Sequence, residues 1–156
     1  FVVQRKHTDA AGVQHAEQRS LAGESWSEGQ VILSWQDVLQ GAADAHDGRN
    51  VVIHEFAHQL DQENGQAIGA PLPLPGDVDH HPARWKAVFT AAYERLQGEA
   101  FMHQQVLLDH YGAQDPAEFF SVVSEVFFEQ GAALRSYDEA LYRELQSYFK
   151  VDPASW

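Results

Sequence analysis

The chain has 156 residues, 44% of them hydrophobic, and its 23 acidic and 10 basic residues give a formal net charge of −13. This length suits one compact domain over residues 1–156, and the negative field disfavours nucleic acid or an anionic membrane surface as a partner. The absence of cysteine excludes disulfides and a thiolate metal cage, and no apolar run is long enough to cross a bilayer.

The N-terminal third of the chain is predicted to contain two strands and one short helix. Residues 1–8 and 30–35 are rich in β-branched and aromatic side chains, which favours strands. The mixed, polar residues 10–27 between them indicate a loop or a hairpin. Residues 35–41 are predicted to form a short helix, and residues 41–50 a loop rich in helix breakers.

The remainder of the chain is predicted to be mostly helical. Asn50 can cap a helix over residues 51–63, which ends at an Asn-Gly pair. Residues 65–82 hold four prolines and three glycines, which excludes a regular element. Three further helices are predicted at residues 82–100, 115–130 and 138–150, with a loop over 102–113. These elements predict an α+β fold, mostly helical with a small N-terminal sheet.

The stretch HEFAH at residues 54–58 matches the pattern H-E-x-x-H. His54 and His58 stand at positions i and i+4 of the predicted helix, so both side chains can point at one metal ion. Glu55 is well placed to accept a proton from water activated by that ion, and then to pass it to a leaving amine. The pattern therefore predicts a metal-dependent hydrolase with Glu55 as general base.

The third metal ligand is less clear from the residues alone. The extended motif HExxHxxGxxH is excluded, because Asp61 and Asn64 replace its glycine and last histidine. The later helix DPAEFFSVVSEVFFEQ is apolar around most of its circumference, and its Glu118 and Glu125 are seven residues apart on one face. Either carboxylate can complete the site while the other binds a ligand histidine, or both can pair with arginines or cap local backbone.

Two separated motifs at a characteristic interval carry a family resemblance. VVIHEFAHQLDQENG, a proline-rich loop and YGAQDPAEFFSVVSEVFFE resemble the Mlc titration factor A family of bacterial zinc peptidases. LAGESWSEGQVILSWQDVLQG upstream and LYRELQSYFKVDP downstream are also similar to that family, so the resemblance covers nearly the whole chain. The family's N-terminal helical portion has no counterpart, and the chain begins without Met, so we expect a fragment.

The resemblance implies a zincin-like fold that binds one Zn²⁺ per chain. It implies His54, His58 and Glu118 as zinc ligands and Glu55 as the catalytic base. It also implies that Tyr111, seven residues before the glutamate ligand, lies near the metal, where its phenol can donate to an oxyanion. A loop residue that packs beside its neighbouring glycine is an equally good interpretation of Tyr111.

The expected function is a cytoplasmic zinc metallopeptidase that is aminopeptidase-like in its action on short peptides. The alternative is a regulatory protein that keeps the zinc site and sequesters a transcriptional repressor of sugar uptake, a partner that the resemblance implies. A structural zinc site is disfavoured, because such sites usually close with four protein ligands, mostly cysteines. His80 and His81 are expected to be solvated loop residues rather than ligands of a metal. His103 and His110 flank the loop before Tyr111, and they are disfavoured as replacements for Glu118 as the third ligand. Asp61 is expected to orient a histidine or to pair with Arg49 or Arg84.

Overall fold

Six α-helices and two antiparallel strand pairs make up the described part of the chain. The structure is a computed structural model that describes residues 30–63, 65–73 and 81–156 in full, and the backbone of three strands that precede them. The strands are β1 (Val2–Thr8), β2 (Gln14–Ser20), β3 (Gly23–Trp26) and β4 (Gln30–Leu33). The helices are α1 (Trp35–Ala43), α2 (Val51–Gln62), α3 (Pro82–Phe101), α4 (Pro116–Glu129), α5 (Gly131–Tyr137) and α6 (Glu139–Phe149).

The strands form two separate two-stranded sheets. β1 pairs with β2 so that Val2 lies opposite Ser20, and β3 pairs with β4 so that Gly23 lies opposite Leu33. The predicted strands at residues 1–8 and 30–35 correspond to β1 and β4, although β4 ends at Leu33 and Trp35 begins α1. The segment between them contributes β2 and β3, which pair with β1 and β4 rather than with each other. β3 and β4 lie against α2, which places this small sheet beside the helix that carries HEFAH.

Helix α4 is the centre of the core, because its side chains are apolar around most of its circumference. Ten of its residues are buried, and they pack against α2 and α6. The aromatic rings of the core meet at edge-to-face and stacked distances, as between Trp85 and Phe89, whose ring centres are 4.0 Å apart. This packing places the α2-facing side of α4 directly against the helix that carries HEFAH.

Polar caps define the starts of the two helices that carry the predicted site. The Asn50 side chain accepts hydrogen bonds from Val52 N and Ile53 N, as predicted, so α2 begins at Val51. Asp115 caps α4 in the same way, and Pro116 occupies the first turn, where its missing N–H costs nothing.

The C-terminal part of the chain departs from the prediction in one respect. The helix predicted over residues 115–130 ends at Glu129, close to its predicted end, but Gly131 then begins the additional helix α5. The break between the two helices is Gln130, whose φ of −129° and ψ of 40° leave the helical region. Gly131 is needed for packing, because a Cβ there would lie 2.9 Å from Ala154 N and from Pro153 Cβ.

The proline-rich segment is irregular where it is described, as predicted: residues 65–73 contain neither helix nor strand. Among the described residues, none of the helices combines the length and the apolar character that a membrane span requires.

Candidate metal centre

Helix α2 presents the histidines of HEFAH on one face. His54 and His58 are one turn apart, and their side chains are only 14% and 13% exposed. Glu55, the next residue round the helix, is buried with 5% exposure. Because these groups are withdrawn from water, their interactions with charges are stronger than they would be on an open surface.

Helix α4 brings Glu118 to the same point from the opposite side. Glu118 Oε2 lies 3.0 Å from His54 Nε2 and 3.4 Å from His58 Nε2. The two Nε2 atoms are 3.2 Å apart. Within the described residues, these three side chains form the one group of three or more potential ligands whose donor atoms all lie within 4.8 Å of one another.

The three donor atoms fit a tetrahedral metal ion. Ligands at about 2.0–2.1 Å from a tetrahedral Zn²⁺ are separated from each other by about 3.3 Å. The observed separations of 3.0, 3.2 and 3.4 Å lie around that value. Two imidazoles and one carboxylate are also a donor set that catalytic zinc sites use, with the fourth position left for water or substrate.

Glu125 contacts the other nitrogen of His54. Its Oε1 lies 2.8 Å from His54 Nδ1. The sequence left the roles of Glu118 and Glu125 open, and the structure separates them: Glu118 faces both Nε2 atoms, whereas Glu125 faces Nδ1. A carboxylate on Nδ1 holds the imidazole in the tautomer and orientation that direct Nε2 towards a metal.

The carboxylates also determine the charge of His54 in the metal-free protein. Burial by itself lowers the pKa of His54, but the hydrogen bonds to Glu118 and Glu125 outweigh it and raise that pKa to about 10. Burial likewise acts to raise the pKa of Glu118, but the hydrogen bonds from His54 and His58 lower it to about 2. His54 is therefore an imidazolium at neutral pH, bound between two carboxylates.

This charge state predicts that zinc displaces a proton. At pH 7 the binding of one Zn²⁺ should release about one proton, because a metal ligand histidine must be neutral while Glu118 is already ionised. The proton leaves from Nε2, and zinc affinity should rise about tenfold per pH unit between pH 6 and 9. Calorimetric titration in buffers of different ionisation enthalpy measures the released protons directly. A heat of binding that does not depend on the buffer would contradict the protonated state of His54.

Tyr111 lies beside the carboxylate of Glu118, on a short 3₁₀ helix (His110–Ala113) that Asp109 caps. Its hydroxyl donates to Glu118 Oε1 at 3.3 Å, and its ring centre is 6.0 Å from that of His54. Burial raises the pKa of Tyr111 to about 12, with further contributions from the charges of Glu118 and Glu55. The phenol therefore keeps its proton at neutral pH, and it lies at the predicted metal site even though the side chain is partly exposed.

Comparison with known proteins identifies the family. The family model described as glucose-regulated metallo-peptidase M90 matches residues 1–150. The chain belongs to the M90 family. It is 39% identical to Mlc titration factor A of Serratia proteamaculans, over 98% of this chain and 57% of that protein. The corresponding protein of Yersinia enterocolitica is 37% identical over 98% of this chain and 56% of its own length.

A further relative is an uncharacterized protein of Synechocystis, which is 40% identical over 85% of this chain and 47% of its own length. The resemblance to the Mlc titration factor A family that the sequence motifs indicated is thus confirmed. The chain spans about half the length of the curated relatives it matches.

The other histidines weighed from the sequence do not join the cluster of His54, His58 and Glu118 where the structure describes them. His81 and His103 are exposed and His110 is partly buried, and none of them belongs to the group of potential ligands. His80 lies outside the described residues.

Asp61 does not pair with Arg49 or Arg84 as the sequence suggested. Arg49 bonds to Asp109 instead, and Arg84 bonds to Glu144. Asp61 is fully buried and accepts hydrogen bonds from the backbone N–H groups of residues 69 and 70 at 2.7 and 2.8 Å. Burial raises its pKa by more than these donors lower it. Asp61 thus attaches the proline-rich segment to the end of α2.

The sequence did not predict the contact between Asn50 and Glu129 next to the cluster. Asn50 was interpreted only as a helix cap, although its side chain also donates to Glu129 Oε1 at 2.9 Å. The available signal was the spacing of Glu129, which lies four residues after Glu125 and therefore on the same face of α4.

Proposed function

We propose that this chain is a zinc-dependent peptidase domain with a zincin-like fold. His54, His58 and Glu118 hold one Zn²⁺, and the observation that carries the proposal is the mutual 3.0–3.4 Å spacing of their donor atoms. Membership of a metallopeptidase family supports the same class of activity. The buried Glu55 on the same helix supplies the group that a hydrolytic site needs in addition to its ligands.

When bound, zinc supplies Lewis acidity that polarises the scissile carbonyl and makes water easier to deprotonate. Glu55 accepts a proton from the attacking water, whose oxygen bonds to the carbonyl carbon. Glu55 then returns this proton to the amide nitrogen as the C–N bond breaks, so the products are a carboxylic acid and an amine. The base is regenerated with no other reactant than water.

Tyr111 is placed to donate its phenolic proton in a hydrogen bond to the oxyanion that forms on the substrate carbonyl. Its pKa of about 12, raised chiefly by burial, keeps that proton in place across the neutral range. Glu118 Oε1 accepts from the Tyr111 hydroxyl in the free protein, which keeps the phenol beside the cluster.

We propose short peptides as substrates, cleaved near their N-termini in the cytoplasm. An apolar cavity of about 490 Å³ lies between the proline-rich segment and α3, and its wall includes Pro116 and Phe119, which flank Glu118 in sequence. This cavity can hold an apolar side chain of the substrate. Peptides with a free or an acetylated N-terminus distinguish an aminopeptidase from an endopeptidase.

A second candidate function is the binding of a transcriptional repressor. The observation that favours it is the name Mlc titration factor A carried by several relatives. Binding alone does not require Glu55, whereas hydrolysis does, and the two functions are compatible with each other.

The test of the proposal is metal content measured beside hydrolysis. We expect about one zinc per chain, cleavage of a peptide library, loss of cleavage after chelation and recovery when zinc is restored. Zinc binding without cleavage of any peptide would favour the binding function. A protein that takes up no metal would exclude both the zinc site and the hydrolytic mechanism.

A further inference from the structure

Three glutamates form a row on the face of α4 that looks towards α2. Glu118, Glu125 and Glu129 are separated by seven and four residues, so they share one side of the helix. Glu118 lies at the candidate metal centre, and the other two lie progressively nearer to the start of α2. Only the first two contact a histidine of the cluster.

Glu125 is held at both of its oxygens. Oε1 lies 2.8 Å from His54 Nδ1, and Oε2 accepts a hydrogen bond of 2.5 Å from the backbone N–H of Asn50. The direction in which Glu125 presents Oε1 to His54 therefore depends on where the Asn50 backbone lies.

Glu129 fixes that stretch of backbone. Its Oε2 accepts from Gly48 N and Arg49 N, each at 3.1 Å, and its Oε1 accepts from Asn50 Nδ2 at 2.9 Å. These are three consecutive residues that lead directly into α2. The positive end of the α2 dipole also favours the two carboxylates at this position.

The side-chain amide of Asn50 can point only one way. Its Oδ1 is used as the helix cap and accepts from Val52 N and Ile53 N. Its Nδ2 must therefore face Glu129. A hydrogen-bond donor in place of Glu129 Oε1 would set two donors against each other and break this contact.

We infer that Glu129 is a positioning residue for the metal site, which acts through Asn50 to hold Glu125 against His54 Nδ1. It touches neither a metal ligand nor the reacting atoms. This inference rests on the proposed metal site, but it does not require that the site hydrolyses peptides.

In the contact between Asn50 and Glu129, the amide donates and the carboxylate accepts. The inference can therefore be tested by exchanging the donor and the acceptor between the two positions. Glu129→Gln keeps one oxygen for the backbone donors at residues 48 and 49 but turns an NH₂ group towards the Asn50 amide. Asn50→Asp keeps the cap but sets a carboxylate against Glu129. The double variant restores one donor facing one acceptor and also restores the wild-type net charge.

The measurement is the zinc Kd, obtained by competition with a chelator, together with the visible spectrum of the Co²⁺-loaded protein. Each single variant should raise the zinc Kd about tenfold and shift the cobalt bands, while the double variant returns to within about threefold of wild type. Glu139→Gln removes an exposed carboxylate that pairs with Arg143 and serves as the control.

The Asn50→Asp variant distinguishes a positioning effect on the zinc Kd from a purely electrostatic one. It adds a negative charge near the site, so a purely electrostatic effect would lower the zinc Kd, whereas loss of positioning raises it. Asn50→Ser keeps a capping oxygen and removes only the donor to Glu129, so it serves if the other single variants do not fold.

If the single variants fold but their zinc Kd and cobalt spectrum are unchanged, the inference is wrong and the role of Glu129 is structural only. A double variant whose fold-increase in zinc Kd equals the product of the two single fold-increases would also overturn the inference, because that is the result for two residues that act independently. Because none of these measurements uses hydrolysis, a protein that cleaves no peptide but shows the reciprocal pattern would retain the positioning role and lose the peptidase proposal. If the wild-type protein binds no zinc, both the positioning role of Glu129 and the peptidase proposal are wrong.

Discussion

Replacing Glu55 with glutamine is expected to lower kcat by about 10²–10⁴-fold, because the amide has no basic oxygen to accept the proton of the attacking water. The substitution preserves side-chain size at a buried position. The three candidate ligands are untouched, so we expect about one zinc per chain, as in the wild type. The measurement is kcat for a cleavable peptide beside the zinc content of the same samples.

Glu63→Gln is a suitable control for this experiment. Glu63 is an exposed carboxylate at the C-terminal cap of the same helix, two turns beyond Glu55. Its substitution removes the same charge from α2 and should leave kcat within about twofold of wild type. Equal losses of activity in the two variants would indicate a general charge effect, and undiminished activity in Glu55→Gln would remove Glu55 from the mechanism.

Replacing Gly69 with alanine is expected to destabilise the protein by about 3 kcal/mol, which corresponds to a fall in Tm of roughly 6–12 °C. Gly69 has a φ of +71°, and a Cβ there would lie 2.4 Å from the carbonyl oxygen of Pro116. The segment cannot shift freely, because Gly69 N donates to the buried Asp61 and Gly69 O accepts from Trp85 Nε1 at 3.0 Å. Thermal unfolding followed by circular dichroism measures the change.

Alanine substitutions at two other glycines distinguish the two contributions to this loss of stability, which are backbone strain and the steric contact with Pro116. Gly65 has a φ of +93° but no atom within 4 Å of an added Cβ, so Gly65→Ala should cost only the backbone strain, about 1 kcal/mol. Gly98 lies inside α3 with equally open space, so Gly98→Ala should stabilise the protein by about 0.5–1 kcal/mol. Equal Tm values for the Gly69 and Gly65 variants would show that the contact with Pro116 relaxes without cost.

Local signals in the sequence predicted both helices of the site. The Asn50 cap and the Asp115-Pro116 start define where α2 and α4 begin, and these signals act within one turn of chain. The i, i+4 spacing of His54 and His58 likewise placed them on one face without knowledge of the rest of the fold.

Predictions from the sequence were incomplete for residues whose surroundings are formed by segments far away in the chain. Asp61 was expected to orient a histidine or to pair with an arginine, but it accepts hydrogen bonds from backbone N–H groups that only the path of the proline-rich segment brings to it. The helix α5 was not predicted, although it begins at Gly131, whose missing side chain makes room for the C-terminal residues that pack on it.

The sequence by itself determined the HEFAH helix, its cap, the apolar character of α4 and the two carboxylates on one side of that helix. Only the tertiary structure decided that Glu118 meets the Nε2 atoms while Glu125 meets Nδ1 of His54. Both glutamates have the same periodicity, so no local pattern distinguishes them. The distinction comes from the way α2 packs against α4, which the surrounding core establishes through contacts between residues far apart in the chain.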